Sequence, residues 1–503
     1  MAVKEAVRAA LEIGHPSLAD RQAEGRDARD RIHLSSHSGW RPAVGRPDPV
    51  ALLEEQNTTR EPDLVPVRHG RMMVSPFTFY RGAAKIMGAD LKDTPVAGLD
   101  AQLCGDAHLS NFGMFASPER HLMFDLNDFD ETLPGPFEYD VKRMVGSFAI
   151  AARNNEFSKA DTRAVALASV AAYWEAMRDF AQMSTMDIWY AHYDEDRLRV
   201  QIQGAVAELS TEEKQDTKSK VGKKKEKRDA KERKVAKKAV KRAQKNVEKA
   251  HTRDSVQAVS KLCEVVGGQY RIVSQPPVIV PALDLLDTFG MSPDEVVPMI
   301  HDQLAAYRAT LQYDRRVLLE KFEVVDAARK VVGVGSVGTR AFIVLLQGRD
   351  EHDPLFLQVK EATASVLEAY LPKSRFRQHG ERVVQGQRMM QAVSDIYLGW
   401  TKGRDVSRNF YWRQLRDMKG SALVEAMAPL TMTYYGRLCG WTLARAHARS
   451  GDPVAIAEYL GSSDAFDQSI VDFAERYADQ NEKDYEEFVG AIRAGRLEAV
   501  QNV

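Results

Sequence analysis

Gly105-Asp106-Ala107-His108-Leu109-Ser110-Asn111-Phe112 is closely followed by Phe124-Asp125-Leu126-Asn127-Asp128-Phe129-Asp130-Glu131. The apolar run Ala101-Gln102-Leu103-Cys104 leads into the first stretch, and His121-Leu122-Met123-Phe124 leads into the second. Each therefore reads as a short buried strand ending in carboxylates. Such an ending, with a histidine and an asparagine a few residues away, suits an oxygen-ligated divalent metal and a general base. Turns also favour Gly, Asp and Asn. Placing Asp106, Asn111, Asp125, Asp128 and Asp130 beside apolar strands nevertheless costs free energy unless a cation or dense hydrogen bonding meets the charge.

Working outward, Arg68-His69-Gly70-Arg71 and Ser75-Pro76-Phe77-Thr78-Phe79-Tyr80-Arg81-Gly82 precede this stretch. Arg68, Arg71 and Arg81 among aromatics suit two roles, bidentate binding of a phosphate or anionic substrate and structural pairing with the nearby carboxylates. Pro134-Gly135-Pro136 marks a turn, and residues 139–153 and 159–182 read as helices with apolar faces. A short helix is expected over residues 48–56, with Pro49 in its first turn. Residues 1–45 read as a mobile lead-in.

The chain of 503 residues, 44% hydrophobic and 28% charged, has ample length for a buried core and for two to four domains or one large domain with insertions. Cys104, Cys263 and Cys439 show no paired spacing, which argues against a disulfide framework or a zinc site. The polar N-terminus has no apolar signal core, and no apolar run approaches the roughly 18 residues of a membrane span, so a cytoplasmic protein without a membrane partner is expected. The net charge of -1 conceals a local +12 between Lys214 and Lys249, where 17 Lys and Arg stand against 5 Asp and Glu. Residues 208–252 have high helix propensity but no apolar stripe and read as a solvated helical insertion. A basic run of this kind can also hold nucleic acid through counterion release, but it lacks aromatics for base stacking.

Beyond residue 255 the pattern becomes globular again. Residues 269–273 and 278–280 read as strands, 293–319 as largely helical, and 329–332 as a strand running into Gly333-Val334-Gly335-Ser336-Val337-Gly338. A dinucleotide-binding G-x-G-x-x-G must open into a helix. Here Thr339-Arg340-Ala341-Phe342-Ile343-Val344-Leu345-Leu346 is apolar and β-branched, so the glycines belong at a hairpin tip, where they suit a flap over nucleotide phosphates. The next strand, Leu355-Phe356-Leu357-Gln358-Val359-Lys360, ends in a lysine. A helix over 380–393, strands over 397–401 and 409–415, and a long helix over 431–449 follow.

Gly105-Asp106-x-His108-x-x-Asn111 resembles the G-D-x-H-x-x-N loop of the aminoglycoside-phosphotransferase and choline-kinase branch of protein-kinase-like enzymes. Asp128-Phe129-Asp130 is similar to that branch's later D-F-E or D-W-E triplet, and Gly135-Pro136-Phe137-Glu138-Tyr139-Asp140-Val141 to its G-x-x-x-Y-D-L helix start. The resemblance implies Asp106 as catalytic base with His108 orienting the loop, and Mg2+ held by Asn111 and Asp128 with Asp125 or Asp130. It also implies ATP covered by Gly333, Gly335, Ser336 and Gly338, with Gln414 and Leu415 in the nucleotide set. Lys360 would neutralise the phosphates, oriented by Glu381, for which Glu361 and Glu368 compete. Asp125 directly follows an apolar strand, while Asp128 better fits the spacing to Asp140, so the principal metal carboxylate stays open between them.

The chain from about residue 48 also resembles a bacterial domain-of-unknown-function family, number 2252, which shares phrases similar to S-P-F-x-F-x-R-G, C-G-D-A-H-x-x-N-F-G, F-D-x-N-D-F-D-E and F-L-Q-V-K-E-A. In ordinary kinases the glycine hairpin and lysine precede the catalytic loop. Here they follow Asp106, which implies an α+β, two-lobed, protein-kinase-like fold that is circularly permuted. The expected parts are residues 46–207 as the catalytic-loop part of the large lobe, 253–325 as a connection, 326–422 as the small nucleotide-binding lobe, and 423–503 as the helical remainder. Phosphoryl transfer from ATP to a hydroxyl of a small-molecule acceptor is the expected function. A non-catalytic ATP-binding protein, a nucleotidyltransferase and a metallophosphoesterase are the rivals.

Overall fold

The computed structural model describes residues 15–200, 245, 248–252, 255–267, 269–415 and 418–501. The early part of the chain contributes strands β1 (Asp100–Leu103), β2 (Phe112–Ala116), β3 (Leu122–Leu126), β4 (Leu133–Pro136) and β5 (Tyr193–Asp194). The later part contributes β6 (Cys263–Val266), β7 (Gln269–Ile272), β8 (Ile279–Pro281), β9 (Glu323–Lys330), β10 (Ala341–Gln347), β11 (Pro354–Ala362), β12 (Gly399–Lys402), β13 (Asn409–Gln414) and β14 (Gly420–Ser421). The helices that position the cleft are α1 (Leu18–Arg31), α2 (Pro76–Gly82), α3 (Phe137–Asn154), α4 (Lys159–Phe180), α5 (His379–Met390), α6 (Pro429–Ala448), α7 (Pro453–Leu460) and α8 (Ala465–Arg493). The protein is a mixed α+β structure. Among the described residues no helix is long and apolar enough to cross a membrane.

A six-stranded antiparallel sheet runs in the order β12-β13-β11-β10-β9-β8. Its strands alternate between two cores, as a pleat of period two requires. Leu355, Leu357 and Val359 pack with Tyr307, Leu311 and Trp412, while Phe356, on the other face, packs with Ala258, Leu262 and Ile272. Lys360 shares the parity of Phe356. Residues 331–340 join β9 to β10 as a hairpin connection, and the register sets Ala341 opposite Lys360, so the glycine loop springs from beside the lysine.

The second half of the molecule is helical. Helix α3 is buried along nearly its whole length, α6 packs along α4, and the long α8 closes the far side. A four-stranded sheet, β14-β2-β3-β5, and the pair β1-β4 frame the acidic loops. Strand β14 comes from late in the chain yet pairs with β2, so remote parts of the sequence share one sheet.

Three expectations need correction. The lead-in is not loose from residue 15 on: α1 carries a Ser17–Asp20 capping box, Gly25 sits against Ala455 and Glu458 of α7, His37 Nε2 lies 2.7 Å from Tyr459 Oη, and Trp40 packs on Tyr477. Small and aromatic-edge contacts of this kind leave no hydropathy signal. The large sheet also begins earlier than residue 326, since β8 forms its edge and helices within 293–319 cover one face, while β14 belongs to the other half. Most of the expected basic insertion, residues 208–252, lies outside the described residues.

Candidate functional site

The loop after β1 is fixed from beneath by α3. Asp140 in its first turn accepts hydrogen bonds from the amides of Cys104 (2.8 Å) and Gly105 (3.0 Å). Gly105 has φ of 79°, and a Cβ there would lie 2.1 Å from the Glu131 carbonyl oxygen. Only glycine fits that left-handed, close-packed position. Gly105→Ala should therefore lower stability by about 2 kcal/mol or more and displace Asp106 from its anchor, measurable as a drop in denaturant midpoint.

Arg143, one helical turn beyond Asp140, holds Asp106 Oδ1 through Nε at 2.8 Å and Nη2 at 2.7 Å. The same guanidinium lies over the Tyr80 ring and donates to the Tyr80 carbonyl. Asp106 Oδ2 faces His108 Nε2 at 3.7 Å. Burial pushes the His108 imidazole down to about 4, so it is neutral near pH 7. Asn111 laces the two acidic loops together: Nδ2 donates to the carbonyls of Asp106 and Asp128, and Oδ1 accepts from the Asp128 amide at 2.6 Å.

From the opposite side comes Lys360, 2% exposed, with Nζ 2.6 Å from Asp130 Oδ2 and 3.6 Å from Asp128 Oδ1. Burial alone would lower its pKa, but the two carboxylates outweigh burial and hold the ammonium above the usual lysine range. Tyr411 Oη donates to Asp130 Oδ1 at 2.7 Å, and Ser336 Oγ of the glycine loop reaches Asp130 Oδ2 at 3.4 Å. Asp128 stays 42% exposed to the cleft. Burial raises its pKa, yet Lys360, Arg413 and Lys419 together pull it below the usual aspartate value. Lys419 is itself pushed down to about 7 by burial and by Arg413.

Asp106, His108, Asn111, Asp128, Asp130 and Lys419 line a cleft of about 1180 Å³ together with Gly333, Gly335 and Ser336, while Lys360 is buried directly behind the carboxylates of Asp128 and Asp130 and is not itself part of the lining. The glycine loop is strapped to the helical half: the Glu61 amide donates to the Gly338 carbonyl at 2.7 Å, Arg71 Nη1 to the Gly333 carbonyl at 2.7 Å, and Arg60 Nη1 to the Val337 carbonyl. Arg329–Asp63 and Arg340–Glu61 ion pairs, each at 2.7 Å, fasten the two ends of the loop.

Several expected site residues lie elsewhere. Asp125 is 2% exposed inside β3 and is consumed by Arg445 Nη2 at 2.5 Å and by the Ala392 amide at 2.9 Å, away from the cleft. Glu381 does not meet Lys360. Its neighbour on α5, Arg382, points inward instead and donates to the carbonyls of Asp130, Thr132 and Thr363. Of the competing glutamates, Glu361 pairs with Arg408 at 2.6 Å and Glu368 lies 3.9 Å from Arg382. Leu415 is buried in the core beside Phe356, the Gln414 amide is bonded to Asp395, and neither borders the cleft. Gly338 sits outside the cleft lining, against Arg60. Arg68 is fully buried and bonded to Asn57, Gln56 and the Gly82 carbonyl, whereas Arg81 does line the cleft.

Sequence reasoning missed Arg143, Arg382, Tyr411, Arg413 and Lys419. Arg143 was the findable one, because residues three apart share a helix face and Asp140 was already singled out.

Fold and site together define a mixed α+β protein in which a glycine loop and paired acidic loops line one cleft, with a sheet-borne lysine buried behind the carboxylates. A family model described as an uncharacterized protein conserved in bacteria, DUF2252, matches residues 60–238 and 203–491. The chain belongs to this family. No curated protein and no solved structure matches it.

Proposed function

We propose that the cleft is the active site of an ATP- and Mg2+-dependent phosphotransferase of circularly permuted, protein-kinase-like architecture, which moves the γ-phosphoryl group to a hydroxyl of a small-molecule acceptor. One observation carries this reading: Lys360, beside a hairpin glycine loop, lies within 3.6 Å of Asp128, whose carboxylate lines a cleft that also holds Asp106 and the loop glycines Gly333 and Gly335. Two remote parts of the chain converge on one spot suited to a polyphosphate. The permuted order draws support from α6, whose Arg445 and His447 stand against Asp125 and Asp140 beneath the acidic loops although α6 comes late in the chain.

In this reaction Asp106 Oδ2, left open by Arg143's hold on Oδ1, accepts the proton as the acceptor oxygen bonds to phosphorus. The bond from the γ-phosphorus to the bridging oxygen breaks and ADP leaves. Neutral His108 and Asn111 keep the loop in register, and Lys360 offsets charge on the phosphates. Asp130, with both oxygens engaged by Lys360 and Tyr411, orients the lysine in the place foreseen for Glu381. Asp128 and Asn111 would hold Mg2+, which supplies further positive charge to the phosphate oxygens. Mg2+ commonly takes one or two carboxylates and fills its shell with phosphates and water. Among the described residues no group of three or more His, Cys, Asp or Glu is placed to hold a metal, so Asp128 and Asn111 would be the protein's share of the shell, with phosphates and water completing it.

Lys360→Met should weaken Mg·ATP binding on the order of 30-fold, equivalent to about 2 kcal/mol, by titration calorimetry. Unchanged affinity would remove the central support. Mass spectrometry after incubation with ATP, Mg2+ and cell extract identifies the transferred group, and a nucleotidyl adduct in place of a phosphoryl adduct would overturn the assigned reaction.

A further inference from the structure

The carboxylates that face the cleft are mostly neutralised by a partner cation. Arg143 holds Asp106, Lys360 holds Asp130, Arg408 holds Glu361, and Lys85 holds Glu55 at 2.9 Å. Glu131 Oε2 accepts from the Val366 amide at 2.7 Å. The cleft-facing Arg81 feels the carboxylates of Glu425 and Asp106 at longer range but, among the described residues, has no contact pair of this kind. Among the described residues it makes no hydrogen bond or close ion pair, and its Nε is buried without an acceptor. A guanidinium presents five donors in a fixed fork, and one left buried and unsatisfied keeps its desolvation penalty unless an acceptor meets it.

The position of Arg81 is as informative as its lack of a partner. It follows Tyr80, whose carbonyl accepts from Arg143 Nη2, the same guanidinium that anchors Asp106. Its own carbonyl lies 3.1 Å from where a Cβ on Gly335 would be. Arg81 thus borders both the base and the glycine loop. Exposed Lys373 and Arg377 also line the cleft, and among the described residues neither makes an ion pair with a carboxylate.

We propose that Arg81 forms an oxyanion subsite on the Asp106 side of the cleft, and that the acceptor is an anionic hydroxyl compound bearing a phosphate, sulfate or carboxylate group. The word acceptor rests on the phosphotransferase reading, whereas the subsite does not. A planar, bidentate oxyanion on Arg81 would set the acceptor hydroxyl beside Asp106 while the nucleotide phosphates keep to Lys360 and the loop.

The test is calorimetric titration of inorganic phosphate into the full chain, first alone and then with the protein saturated by a non-hydrolysable ATP analogue and Mg2+. Phosphate is expected to bind in both states, and Arg81→Met is expected to weaken it about tenfold or more in both while the analogue's affinity moves less than about threefold. Arg81→Lys keeps charge and stem, covers the case in which the Met variant does not fold, and should weaken phosphate by roughly threefold. Phosphate binding that ignores both substitutions overturns the subsite. Phosphate displaced by the analogue, with the analogue itself weakened by Arg81→Met, assigns the guanidinium to the nucleotide and overturns the anionic acceptor. If the analogue fails to bind while Arg81-dependent phosphate binding persists, the subsite stands and the phosphotransferase reading falls.

Discussion

Asp106→Asn should lower turnover on the order of a thousandfold while Mg·ATP affinity changes less than about threefold, since a positioned general base contributes roughly 10²–10⁴. Asparagine is the informative substitution because of Arg143. That guanidinium is 3% exposed and bonded to Asp106 Oδ1. Alanine would leave it buried without its counterion, at a cost of about 3–5 kcal/mol. Asparagine keeps an oxygen for Arg143 and removes only the capacity to take a proton. His108, 3.7 Å away and already neutral, cannot replace the lost negative charge. Steady-state rates with the acceptor found by mass spectrometry give the measurement. Equal rates for wild type and variant would remove Asp106 from the chemistry.

The second large effect is structural and separates Asp125 from Asp128. Asp125 and Arg445 are 2% and 1% exposed and in contact at 2.5 Å, so Asp125→Ala strands a buried cation and should cost about 3–5 kcal/mol of stability in denaturant unfolding. The paired replacement Asp125→Leu with Arg445→Met should recover most of that loss, because exchanging a buried ion pair for apolar residues of similar volume is often neutral. Asp128→Asn, at a partly exposed position, should leave stability nearly intact and raise the Mg2+ concentration needed for activity. A normally stable Asp125→Ala variant with an altered Mg2+ requirement would return Asp125 to the metal.

Much of this site could be read from the chain because its signals were local. Apolar, β-branched runs in β10 and β11 gave the hairpin and set Lys360 at a strand end, and the apolar runs before Asp106 and Asp125 gave the acidic loops. The errors share a cause. Sequence indicates that a helix follows Lys360, but Glu381 and Arg382 differ by about 100° around its axis, and only packing determines which one turns inward. Asp125 was ambiguous because strand β3 continues to Leu126, which carries Asp125 into the helical half. The docking of α1 depends on Gly25 and Ala28, residues too small to register as an apolar stripe.

The strap between residues 60–71 and the glycine loop bears on timing. The two halves also meet where β14 pairs with β2, and the strap adds a separate set of contacts at the glycine loop. Under the proposed chemistry, any parting of the two halves that releases a spent nucleotide has to break these contacts. Product escape then draws on the same contacts, and the arginines and acids of the strap make its pace responsive to ionic strength.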